Sequence, residues 1–299
     1  MLIKKWDTDN YMKQLSKIAL DILKQGTKKK AVFEDNEWRG IIEECYNPPE
    51  RPKKFKIDFK KRNDKNPLIA VLFSGGLDSY VAYIRAKEIS NNVKVFYCRF
   101  PTIYTKFEEE AIKKLNIKPI IIDFPLKCNY GNGIWRHIIP GRNLYFICRV
   151  AEIMNEGGEI WLAANDGEIP NEGGDKSLRF RDEVNRIFSY LPYPIKIKYV
   201  FIKETKSDLI NWYLRRNYDV KKLKLTRTCQ NNTKKHCGEC QACFRRAVAF
   251  INNEIFDEKD FIKNPFKYAI KDYKWKLKKR EKEFRKGDFS RYSPNSCYE

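Results

Sequence analysis

Residues 68–79 read LIAVLFSGGLDS, and this stretch decides the fold. The apolar run Leu68–Phe73 has the make-up of a buried strand, and it stops abruptly at Ser74-Gly75-Gly76. Asp78 and Ser79 then open a helical stretch in which Val81, Ile84 and Ala86 can face a sheet. Two glycines let the backbone reach positive φ and approach a bulky anion, while exposed N–H groups and the helix dipole favour phosphate. Ser74 and Ser79 add hydroxyl donors. Asp78 suits an anion cradle if it caps the helix or meets a magnesium ion that carries the phosphates.

Set directly behind an apolar strand, SGGLDS resembles the PP-loop of the ATP pyrophosphatase superfamily. The resemblance implies cleavage of ATP to AMP and pyrophosphate while a substrate is adenylated. The Gly-Lys-Ser/Thr ending of a Walker loop is absent, which disfavours γ-phosphate transfer.

Outward from the loop, strand and helix patterns alternate. Strands are expected at 93–97, 119–124, 159–164 and 195–202, and helices at 107–115, 144–154, 178–188 and 206–215. The pattern predicts an α/β fold with a doubly wound parallel sheet, ligands at the carboxyl ends of its strands. The run Ile120-Ile121-Ile122 reads as a strand buried on both faces. Asp123 and Asn165-Asp166 fall at strand ends. Before this domain, residues 1–65 read as an appendage with an amphipathic helix over 9–25 and a proline-bearing link. The expected division is 1–65, a nucleotide-binding domain over 66–225, a metal segment over 226–255 and a basic tail over 256–299.

The spacing Cys229-x7-Cys237-x2-Cys240-x2-Cys243 gathers four thiolates, and Gly238 permits the tight turn this needs. Four thiolates suit tetrahedral Zn²⁺ with no open position, hence a structural site. An iron–sulfur cluster is the rival, but a ferredoxin run wants cysteine and proline where Ala247 and Val248 stand. Cys45, Cys98, Cys128, Cys148 and Cys297 show no ligand spacing and read as packing residues.

The 299 residues, 42% of them hydrophobic, are enough for a sizeable core, and no stretch approaches the roughly 20 apolar residues of a membrane span. The charged start MLIKKWDTDN lacks a signal-peptide core, so a cytoplasmic location without membrane partners is expected. The net charge of +21 leaves a nucleic-acid partner open, above all through residues 271–286, KDYKWKLKKREKEFRK, where aromatics interleave with Lys and Arg.

SGGLDS, the segment Pro140-Gly141-Arg142-Asn143 and the four cysteines together resemble the 7-cyano-7-deazaguanine synthase family, from about Pro67 to Phe250. The family converts 7-carboxy-7-deazaguanine to the nitrile with ATP and ammonia, through an adenylated acid and an amide. The resemblance implies that Ser74, Gly75, Gly76, Leu77, Asp78 and Ser79 hold ATP with Mg²⁺. It implies that Asp78, Lys206 and Arg142 carry the chemistry and that the cysteines hold Zn²⁺. Two departures stand out. Tyr97-Cys98-Arg99-Phe100-Pro101 keeps little of the family's Tyr-Gly-Gln-Arg-His stretch, and residues 167–183 lack its Tyr-Pro-Asp-Cys-Arg segment. Asn143, Asp166 and Asp175 are the expected contacts to a 7-deazaguanine acceptor. A PP-loop enzyme acting on tRNA or DNA, a non-catalytic nucleotide-binding protein, and assembly as a homodimer remain open at this point.

Overall fold

The computed structural model describes residues 66–124, 141–165 and 174–271. The appendage, Asp166 and the basic stretch beyond Lys271 lie outside the described residues. These fall into two compact units, 66–228 and 229–271.

The first unit holds five parallel strands: β1 (Ile69–Leu72), β2 (Val93–Arg99), β3 (Ile120–Asp123), β4 (Gly158–Asn165) and β5 (Ile195–Phe201). Their order is β3-β2-β1-β4-β5. Helices alternate with them: α1 (Leu77–Ile89), α2 (Thr105–Lys114), α3 (Arg142–Met154), α4 (Leu178–Phe188), α5 (Lys206–Arg215) and α6 (Val220–Leu225). The chain leaves β1 in one direction for β2 and β3, then returns to add β4 and β5 on the other side. Right-handed crossovers running in opposite directions lie on opposite faces, so α1 and α2 cover one face and α3 and α4 the other. The reversal falls between β1 and β4, where the carboxyl ends of the strands part into a crevice.

Strand β1 is central because it is wholly apolar and pairs on both edges; Ile69, Ala70 and Val71 have no exposed surface. Across the sheet, Ala70, Ile160, Leu162 and Ile197 pack against Ile147 and Val150 of α3 and Val184 of α4. The expectation for β3 is corrected. It is an edge strand, and Ile120 and Ile121 are 40% and 50% exposed while only Ile122 is buried. Three isoleucines in a row satisfy an edge as well as a centre, because composition reports apolarity and not the number of neighbours.

At the opposite edge, Asn185 of α4 substitutes for a neighbouring strand. Its Nδ2 donates to Ile197 O at 3.1 Å, and its Oδ1 accepts from Ile197 N at 2.7 Å, both buried. In the second unit, α7 (Gln241–Ile251) and a short 3₁₀ turn, Glu258–Asp260, pack with a helical segment over 265–271. Its core combines Cys229, Cys237 and Cys243 with Phe244, Val248, Phe261 and Phe266.

Replacing Asn185 by Ala strands a buried donor and a buried acceptor of Ile197 together. The expected loss is about 2–4 kcal/mol of unfolding free energy, read from the denaturant midpoint.

Candidate active site and metal centre

The turn after β1 is built for close approach. Gly75 has φ +70°, and a Cβ there would lie 3.0 Å from Glu108 O, so the first turn of α2 sits directly on the loop. Ser74 N donates to Ser79 Oγ at 3.3 Å, Ser79 Oγ donates to Gly76 O at 3.1 Å, and Arg227 N donates to Gly75 O at 2.8 Å. No side chain caps α1, whose N-cap is Gly76. The N-terminus of α1 therefore keeps its dipole and donors facing the crevice.

Asp78 and Lys206 meet although they are 128 positions apart: Lys206 Nζ lies 2.5 Å from both carboxylate oxygens. The side chains are only 16% and 8% exposed. Lys206 is placed by its helix. Thr205 and Asp208 form a reciprocal capping box that starts α5 at Lys206.

Across the crevice, Gly141 takes a left-handed conformation and releases α3 at Arg142. The Arg142 guanidinium lies 5.5 Å from the Phe100 ring. Asn143 Nδ2 donates to Asp175 O at 3.2 Å, and the Tyr199 hydroxyl donates to the same oxygen at 3.3 Å. The structure thus joins Asn143 to Asp175 through the Asp175 backbone. Asp166 lies outside the described residues.

One group at this site escaped the sequence reading. Glu108 accepts from the Tyr97 hydroxyl at 3.1 Å. Desolvation raises its carboxyl to about pH 7, opposed by the Tyr97 hydrogen bond and by the charges of Arg142 and Arg227. Tyr97 is itself pushed well above its ordinary value by burial and by Glu108. In sequence Glu108 belongs to Glu108-Glu109-Glu110, which reads as a solvated helix face; no local signal marks the first of the three. At the ends of β2 and β3, Arg99 binds Asp123 through two bonds of 2.5 and 2.8 Å and holds that carboxyl below its usual range.

In the second unit the Sγ atoms of Cys229, Cys237, Cys240 and Cys243 lie within 4.8 Å of one another. Backbone N–H groups point at three of them: Asn231 and Cys237 donate to Cys229 at 3.4 Å, Glu239 to Cys237 at 3.2 Å, and Cys243 to Cys240 at 3.4 Å. Such donors favour thiolate. Hydrogen bonding from Cys237 lowers the Cys229 thiol, whereas hydrogen bonding to Cys229 pushes Cys240 and Cys243 up. The donor set fits a bound metal ion. Gly238, at φ +74°, turns the chain between two of the ligands, and a Cβ there would lie 1.7 Å from Lys263 O.

A parallel sheet with a Ser-Gly-Gly loop at its switch point defines a PP-loop nucleotide-binding fold. The family model described as "Queuosine biosynthesis protein QueC" matches residues 121–254. The 7-cyano-7-deazaguanine synthase of Picrophilus torridus is 31% identical over 223 residues, covering 64% of this chain and 90% of that protein. Those of Methanocaldococcus jannaschii and Methanobrevibacter smithii are 23% and 25% identical, again over 64% of this chain and over 97% and 96% of theirs. The chain belongs to the 7-cyano-7-deazaguanine synthase family. Among solved structures, a U34-tRNA thiolase, NcsA from Methanococcus maripaludis with its [4Fe-4S] cluster, is 14% identical with a TM-score of 0.36, covering 72% of this chain and 74% of that one.

Two outcomes follow from this geometry. Glu108 has a folded-state pKa above its unfolded value of roughly 4.3, so its contribution to stability is full below that pH and is lost as pH rises through about 7. Glu108→Gln should therefore gain stability relative to the wild type across that window and hold the gain above it, as thermal melting over a pH series would show. Gly238→Ala should lose the metal during dialysis under conditions where the wild type retains it, measured by elemental analysis.

Proposed function

We propose that the protein is an ATP-dependent ligase that converts a 7-carboxy-7-deazaguanine-like acid to the nitrile with ammonia. The observation that carries this is the Asp78–Lys206 pair beside an uncapped Ser-Gly-Gly loop, in a chain of the synthase family. An oxygen of the acceptor carboxylate attacks the α-phosphorus of ATP, and the bond to the bridging oxygen breaks with release of pyrophosphate. Ammonia then displaces AMP to give the amide and a proton. A second ATP adenylates the amide oxygen with release of pyrophosphate and one N–H proton, and loss of AMP and the remaining N–H proton leaves the nitrile.

The adenylations need positioning and charge neutralisation more than covalent help. In this reading the amides of Ser74, Gly75, Gly76 and Leu77, with the hydroxyls of Ser74 and Ser79, hold the departing pyrophosphate. Lys206 and Arg142 offset its charge. Asp78 would hold a Mg²⁺ ion, which would offset negative charge on the phosphates. Asn143, Asp166 and Asp175 are assigned to the heterocycle, whose N–H edge suits carboxylate acceptors. The four cysteines would hold Zn²⁺, which supplies folding energy and leaves no open position for chemistry. The segments before residue 66 and after 255 are assigned to accessory roles around a cytoplasmic enzyme.

Incubation with ATP, ammonia and 7-carboxy-7-deazaguanine, followed by mass spectrometry, tests the assignment. AMP, pyrophosphate and the nitrile are expected; ADP and phosphate would overturn it. Asp78→Asn should cost roughly 100-fold or more in turnover, a loss of the size seen on removing preorganised charge from an active site. Stoichiometric iron in the purified protein would replace Zn²⁺ by a cluster.

A further inference from the structure

Asn165 closes β4 at the switch point, and none of the steps above uses it. Sheet order sets β4 between β1 and β5. The carboxyl end of β4 therefore lies between the Ser74–Gly76 turn that follows β1 and the Thr205–Lys206 turn that follows β5. Asn165 pairs with Phe201, whose ring lies 4.9 Å from the guanidinium of Arg85 on α1. The register shifts between Leu162 and Asn165, and irregularities of this kind re-aim side chains beside functional sites.

There the amide is 3% exposed, and its Nδ2 meets no hydrogen-bond partner among the described residues. Native folds seldom keep a buried donor unspent, since an apolar side chain of the same size would fill the space without that cost. The donor makes sense if its partner arrives with a ligand. An NH₂ group donates only, so the partner is an acceptor atom. The Ser-Gly-Gly turn beside it, with the uncapped N-terminus of α1, is where the adenylating reading sets phosphate, so the acceptor is an anionic oxygen.

We propose that Asn165 is a ligand-binding residue of the adenylation site, its Nδ2 donating a hydrogen bond to an anionic oxygen of the reacting pair. That oxygen is either on the α-phosphate of ATP or on the acceptor carboxylate. The inference rests on the adenylating reading above and adds to it a residue that orients the two reactants.

The experiment uses the full chain and the variants Asn165→Leu and Asn165→Asp. Thermal melting is measured, together with the KM of each substrate and kcat in an AMP-release assay, and calorimetric binding of α,β-methylene-ATP. Asn165→Leu should melt at or above the wild-type temperature while kcat/KM falls roughly 10- to 100-fold, the size of one hydrogen bond to a charged oxygen. Asn165→Asp should lose more, because its carboxylate repels that oxygen. Weakened binding of the analogue assigns the partner to ATP; unchanged binding with a raised KM for the acceptor assigns it to the carboxylate. A lowered melting temperature with kcat/KM within threefold of wild type overturns the proposal and makes the amide structural. If the wild type itself releases no AMP, the adenylating reading falls separately. Analogue binding then decides for Asn165: an unchanged Kd in Asn165→Leu overturns its role, and a weakened one supports it.

Discussion

The nucleotide-binding unit is constrained above all by the ion pair between Asp78 and Lys206. Both residues stand in the first turn of a helix, α1 behind the central strand and α5 behind an edge strand, and both are largely withdrawn from water. Removing one partner of such a pair leaves an uncompensated buried charge, at a cost of about 3–5 kcal/mol. The pair therefore fixes the ends of β1 and β5 relative to each other. It also fixes what lies between them, the carboxyl end of β4. A lysine that protrudes from a helix N-terminus works against the helix dipole. The Asp78 carboxylate and the Thr205–Asp208 box supply the compensation that lets Lys206 stay there.

The second unit solves a different problem. Among its described residues, three of the four cysteines sit in the middle of the apolar core, beside Phe244, Val248, Phe261 and Phe266. Four sulfurs within 4.8 Å of one another make a donor set that a metal ion fits. Gly238 shows how tightly the design is drawn. The backbone of Lys263 occupies the space that any side chain would need. Cys240 has two functions here, since its Sγ also accepts from Cys243 N and starts α7.

Much of this was legible in the residues themselves. Alternating apolar strands and amphipathic helices gave every strand of the sheet, because period and composition are local properties. SGGLDS was legible because a strand, a glycine turn and a helix start leave little else for those residues to be. The cysteines were legible through spacing alone. What could not be read depends on neighbours distant in the chain. Ile120 and Ile121 looked buried until the sheet order put them at an edge. Glu108 looked solvated until Tyr97 and the loop closed around it. The partnership of Lys206 with Asp78 spans 128 positions, and no periodicity carries that far.

Three features of the site share a character that bears on the chemistry. Each of them carries a local cost: a carboxyl with its proton held near neutrality, a lysine at a helix N-terminus, an amide buried without an acceptor. A fold selected for stability alone would remove them, and apolar residues of similar volume would fill the same space. They lie around one crevice, at the carboxyl ends of β1, β2, β4 and β5, where the sheet order reverses. Costs scattered through a protein can be accidents of packing. Costs gathered at a topological switch point are ones that a bound ligand can offset. Asn165 ends its strand there, beside the Asp78–Lys206 pair and the uncapped N-terminus of α1, and its buried NH₂ is a donor that only an incoming acceptor atom would meet.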